Sequence, residues 1–102
     1  MNKHSCGSTF DYVLSLEGVE LTEFVGWTTL CNLRDFSGAL IASIDSAWID
    51  PAVPVALALM KLDTSTWRPG VATLNVKFTS PNGYVRTLKE PVNWELVKDD
   101  FR

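Results

Sequence analysis

A chain of 102 residues with 46% hydrophobic and 21% charged residues has ordinary globular composition and is too apolar for a disordered segment. At this length roughly 65% of the unfolded surface is buried on folding, enough for one core and too little for two. Nine Lys and Arg against twelve Asp and Glu leave a formal charge of -3, with the basic residues scattered from Lys3 to Arg102. This argues against a nucleic-acid partner, since a phosphate-tracking groove needs a concentrated basic stripe.

Residues 1–9 hold Lys3, His4 and small polar residues and read as a flexible leader, with no apolar segment to form the core of a signal peptide. His4 and Cys6 form a His-x-Cys pair, but two ligands fall short of the four of a structural zinc site, so no metal is expected. Phe10, Tyr12, Leu14 and Leu16 alternate with Asp11, Val13 and Ser15 as a first strand, which Gly18 ends.

Val19, Leu21 and Phe24 connect to a second strand, in which Trp27, Thr29, Cys31 and Leu33 share a face. Asp35 to Gly38 supply turn residues, and Leu40, Ala42 and Ile44 suggest a strand returning as a hairpin. Asp45 to Pro51 is irregular and carries Trp48 and Ile49.

In the next run Val53, Val55, Leu57 and Leu59 lie on one face and Ala52, Ala56, Ala58 and Met60 on the other, so both faces are apolar. Its Ala and Leu content also permits a helix, whereas Pro54 and the valines favour a strand. The run is well short of the roughly 20 residues of a membrane span, and no membrane partner is expected. A strand with two apolar faces is either covered on both sides or used at a subunit contact. Trp48, Ile49, Val53, Val55 and Met60 are the candidate assembly contact.

Asp63, Trp67, Pro69 and Gly70 are read as a fold-determining turn. Asp63 or Thr64 caps one short helical turn over residues 63–68, Pro69 and Gly70 redirect the chain, and Trp67 folds over the end of the core. Ala72, Leu74, Val76 and Phe78 then form the clearest half-buried strand. Ser80-Pro81-Asn82-Gly83 is a hairpin connection in which Asn82 and Gly83 tolerate positive φ. Tyr84 to Leu88 return, and Val92, Trp94 and Leu96 close the domain. About seven short strands at roughly ten-residue spacing predict an all-β, immunoglobulin-like antiparallel β-sandwich over residues 10–97, with a C-terminal tail over 98–102.

Chemistry has little to work with. His4 is the sole histidine and lies in the leader, away from any Ser or Cys nucleophile arrangement. Asp45, Asp50 and Asp63 lie near turns, where Asp serves as turn former and cap. No catalytic residues, no cofactor and no enzymatic activity are expected. Cys6 and Cys31 read as reduced thiols, Cys31 as a small core hydrophobe. Trp27 and Trp94 fall on core faces and Trp67 follows its turn, leaving Trp48 as the one indole of the four able to stack on a sugar.

Leu21 to Trp27 leading into a strand that ends Leu33-Arg34-Asp35, Gly38, the Asp63 to Gly70 segment, the strand Ala72 to Phe78, the Asn82-Gly83 turn and the strand Val92 to Leu96 resemble an immunoglobulin-like domain. The resemblance is to such domains of tailed-phage virion proteins, in particular the N-terminal domain of the baseplate upper protein family. It implies a non-enzymatic structural component of a bacteriophage particle, a tail, baseplate, neck or fibre adaptor. Such a component would be located in the virion after synthesis in the host cytoplasm, with other virion proteins or further copies of itself as partners. In that family the domain usually begins a longer chain, so its place in a particle is not carried over. Two other readings stand beside it: a carbohydrate-binding sandwich that uses Trp48, and an intracellular regulator that captures a partner at a sheet edge.

Overall fold

Period-two burial organises the long strands of the computed structural model, which describes residues 2–88 and 90–98. The strands are β1 (Asn2–Ser5), β2 (Phe10–Ser15), β3 (Thr28–Asp35), β4 (Leu40–Trp48), β5 (Ala56–Lys61), β6 (Gly70–Thr79), β7 (Val85–Thr87) and β8 (Val92–Val97). They form one hydrogen-bonded path, β1-β8-β6-β3-β4-β5-β2, with β7 attached to β6.

The path doubles back at β4, where Leu40 to Ile44 pair with β3 and Asp45 to Trp48 pair with β5. One strand thus belongs to both layers, a common way for a sandwich to turn a corner. The larger layer is β1-β8-β6-β3 with the first half of β4, and the smaller is the second half of β4 with β5 and β2. Their inner faces meet in a single core around Leu33, Leu57, Leu59, Leu74 and Val76, each no more than 1% exposed. Phe10 of β2 stands 4.9 Å from the ring of Trp94 on β8 and joins the two layers across the core. The all-β sandwich expected from the alternation is the observed fold, with no helix among the described residues.

Two hairpins use one device. In Asp35-Phe36-Ser37-Gly38 and Ser80-Pro81-Asn82-Gly83 the fourth residue returns its amide to the carbonyl of the first at 3.0 Å. Gly38 (φ +88°) and Gly83 (φ +90°) take the left-handed conformation that follows such a turn. Asn82 does not share it, contrary to expectation, because Gly83 alone supplies the required reversal.

Three other expectations are corrected. The leader is not loose: β1 pairs in parallel with β8 from Asn2↔Trp94 to Ser5↔Val97, and its backbone satisfies an edge that β8 would otherwise expose. The strand expected from Val53 begins only at Ala56. Asp50 accepts the Ala52 amide through its carboxylate and the Val53 amide through its carbonyl, and Pro54 offers no donor. The segment 63–68 is not helical but a β-turn from Thr64 to Trp67, closed at 3.0 Å. There the Asp63 carboxylate takes the Ser65 amide at 2.9 Å, a local bond that competes with a helical turn. Of the tail over 98–102, residues 99–102 lie outside the described residues.

Candidate functional site

The aspartates come first, because any hydrolytic chemistry would need them. Asp35, Asp50 and Asp63 each accept the amide two residues on, from Ser37, Ala52 and Ser65, at 2.9 to 3.0 Å. All three are Asx-turn formers on separate loops. Hydrogen bonds from the Ser37 and Ser65 side chains, backed by those backbone amides, hold Asp35 and Asp63 below the ordinary carboxylate range, the reverse of what a general acid requires. Asp45 sits on β4, exposed, opposite Met60. His4 packs its ring edge-on against Phe10 and Trp67 and meets the Ser8 carbonyl at 2.9 Å. Among the described residues no three His, Cys, Asp or Glu side chains come together.

The five candidate contact residues divide between the two faces of the smaller layer. Trp48 points inward: its ring stacks 5.9 Å from both Phe24 and Phe78, and its Nε1 donates to the Trp27 carbonyl at 3.0 Å. Engaged on both counts, it cannot serve as a sugar platform, and the carbohydrate reading built on it is corrected. Val53 and Val55 are half-buried beside Pro54. Ile49 (56% exposed) and Met60 (42%) face outward.

The register places them in a wider surface. Asp11–Met60–Asp45 and Val13–Ala58–Ala47 are successive cross-strand rows on the outer face of β2, β5 and β4. A third row runs Ser15–Ala56–Ile49, its last step made by the Ile49 amide on the Ala56 carbonyl at 3.1 Å. The centre is apolar, and the two acids border Met60. Ala56, Ala58 and Met60 were legible as a second apolar face, but Val13 and Ala47 join them only through strand pairing.

Two concavities complete the surface. A cleft of about 560 Å³ opens between the layers, floored by Leu14, Phe24 and Phe78 and bordered by Glu17 and Glu90. Arg86 crosses its mouth, bonded to Glu23 at 2.7 Å, with its guanidinium 5.6 Å from the Trp27 ring. A second, of about 400 Å³, lies on the outer face of the larger layer between β3 and β6.

No family model matches the chain, and no curated protein matches it. Among solved structures it is similar to CopC from Methylosinus trichosporium OB3b, at 14% identity and a TM-score of 0.57, over 97% of this chain and 85% of that one. The likeness is one of β-sandwich fold. It corrects the expectation of a bacteriophage structural component: the ground of that expectation was the order of strands and turns, and CopC shares such a sandwich over nearly the whole chain.

Proposed function

We propose that the domain is a non-enzymatic module that self-associates weakly through the outer face of its smaller layer. The row Val13–Ala58–Ala47 carries this reading: three exposed apolar side chains abreast, none larger than valine. They let a second sheet approach closely and leave apolar area in water that a second copy removes.

The charges select the arrangement. A twofold axis across the strands at Ala58 sets Met60 of one copy over Ala56 of the other and keeps the aspartates apart. An axis along the strands would face Asp11 with Asp45, a like-charge contact that costs free energy.

Strands about 4.8 Å apart and rising about 3.3 Å per residue make this face about 15 by 20 Å. Two copies therefore bury on the order of 600 Å² in total, half of the ~1,200 Å² at which stable complexes begin. The contact is transient for single copies and gains strength wherever several are linked.

Sedimentation velocity from micromolar to millimolar concentration tests the reading. A reversible dimer is expected, abolished in Ala58→Arg and kept in Tyr84→Arg, which alters an exposed residue of the β6–β7 hairpin. A strict monomer at millimolar concentration, or a dimer untouched by Ala58→Arg, overturns it.

A further inference from the structure

The concavity on the larger layer has a chemistry unlike the rest of this acidic chain. Its walls are the outward residues of β3 and β6, paired as Leu30↔Lys77, Asn32↔Asn75 and Arg34↔Thr73. Phe36 of the β3–β4 turn also lines it and is 87% exposed, the most exposed large hydrophobic residue described.

Three observations define what such a surface takes. First, its cations outnumber its acids, Arg34 and Lys77 against the charged Asp35. Asp35, the one acid lining the concavity, is engaged by Ser37 N at 2.9 Å, Ser37 Oγ at 2.7 Å and Ala39 N at 3.0 Å. Arg34 bonds the Gly38 carbonyl at 3.0 Å, and among the described residues no carboxylate stands within ion-pair distance of Arg34 or Lys77. The ligand is therefore anionic.

Second, the floor between the cations is made of amides and hydroxyls: Asn32, which accepts from Ser43 Oγ at 3.2 Å, Asn75, and Thr73, which meets Asn93 Oδ1 at 3.4 Å. Amides and hydroxyls both donate and accept, as the hydroxyls of a sugar ring do. The three wall pairs face each other across the β3–β6 ladder, and the Val76 amide between them is taken by Asn75 Oδ1 at 2.8 Å, which leaves the Asn75 amide nitrogen for a ligand and little main chain for a peptide. Third, Phe36 offers a bare ring at the lip, suited to the apolar face of a pyranose.

Arg34 and Lys77 are separated by four positions along the ladder, about 13 Å at strand rise. One carboxylate cannot reach both. We infer that this face binds an acidic oligosaccharide, a chain of uronic-acid units whose carboxylates meet Arg34 and Lys77 while Asn32, Asn75 and Thr73 take its hydroxyls and Phe36 stacks on one ring. The site is independent of the self-association face, which lies on the other layer.

Calorimetric titration with a defined oligogalacturonate, its neutral reduced counterpart and a short poly-glutamate tests the inference on the full chain. Binding of the oligogalacturonate alone is expected, weakening as salt rises. Phe36→Ala and Lys77→Gln each weaken it on the order of tenfold, the loss typical of one charge-assisted or stacking contact. Both side chains are exposed, so unchanged far-UV dichroism separates lost binding from lost folding. No binding at millimolar ligand, equal binding of poly-glutamate, or binding that both variants retain overturns it.

Discussion

The indole of Trp48 donates to the carbonyl of Trp27 at 3.0 Å, tying the far end of β4 to the chain just before β3. Trp48→Phe keeps a ring against the stacked pair Phe24 and Phe78 but leaves that carbonyl without its donor. We expect a loss of about 1 kcal/mol. Trp48→Ala also removes the ring and is expected to cost about 3 kcal/mol. Urea unfolding measures both; a loss below about 0.5 kcal/mol for the alanine variant would mean that the ring is not packed as described.

Thr64 holds the first strand in place. Fully buried, its hydroxyl accepts from Gly7 N at 2.9 Å and donates to the Ser8 carbonyl at 2.6 Å, across 56 residues of chain. Thr64→Val keeps the volume and removes both bonds. A loss of about 2 kcal/mol is expected, together with faster amide exchange at Cys6, whose own amide bonds the Val97 carbonyl at 2.9 Å. Thr64→Ser should restore most of the protection. Equal exchange in all three proteins would remove the hydroxyl from this role.

These features mark how far the sequence could be read. Alternation of apolar and polar residues was enough for β2, β3, β6 and β8, because each has one wet face and one dry one. The pattern was silent on β1, whose Asn2, Lys3, His4 and Ser5 carry no apolar period; its place is set by an open edge of β8 and by Thr64, which lies 60 residues from His4. It misplaced Trp48 for a related reason. An indole between acidic residues looked exposed, whereas the change of partner strand within β4 turns it inward. The apolar outer face was half legible in the alanines of β5, but the rows through Val13 and Ala47 exist only once β2 and β4 are paired on either side.

Acid should weaken the fold through its turns. Asp35 is held below the ordinary carboxylate range chiefly by the Ser37 hydroxyl, against the desolvation of its carboxylate and with further help from the Ala39, Ser37 and Gly38 amides. Asp63 is held low by the Ser65 side chain, then the Ser65 amide and the charge of Lys61. A carboxylate depressed in the folded state contributes stability that is full above its unfolded value of about 4 and is lost as pH falls through the folded value. Thermal midpoints should therefore drop between about pH 5 and pH 2. In the double variant Asp35→Asn, Asp63→Asn the midpoint is expected to be lower at neutral pH and to fall less with acid. An acid slope as steep as that of the wild type would assign it to other carboxylates.

Cys31 provides a probe of the core in the opposite pH range. It is fully buried between Ile44 and Val76 on the two flanking strands, and burial pushes its thiol up to about 12. In the unfolded chain a cysteine loses its proton near 8.5. The protonated thiol therefore favours the fold fully below that value, and the advantage fades as pH rises toward 12. Only the thiolate attacks iodoacetamide, so the folded chain should leave Cys31 unmodified at pH 8 on a timescale in which the urea-unfolded chain is fully labelled. Cys31 should react only at the rate at which the sandwich opens, and sub-denaturing urea should accelerate it. Peptide mass spectrometry over a labelling time course follows the site. Modification of Cys31 in the native protein as fast as in the unfolded chain would show that β3 is not the sealed centre of the larger layer.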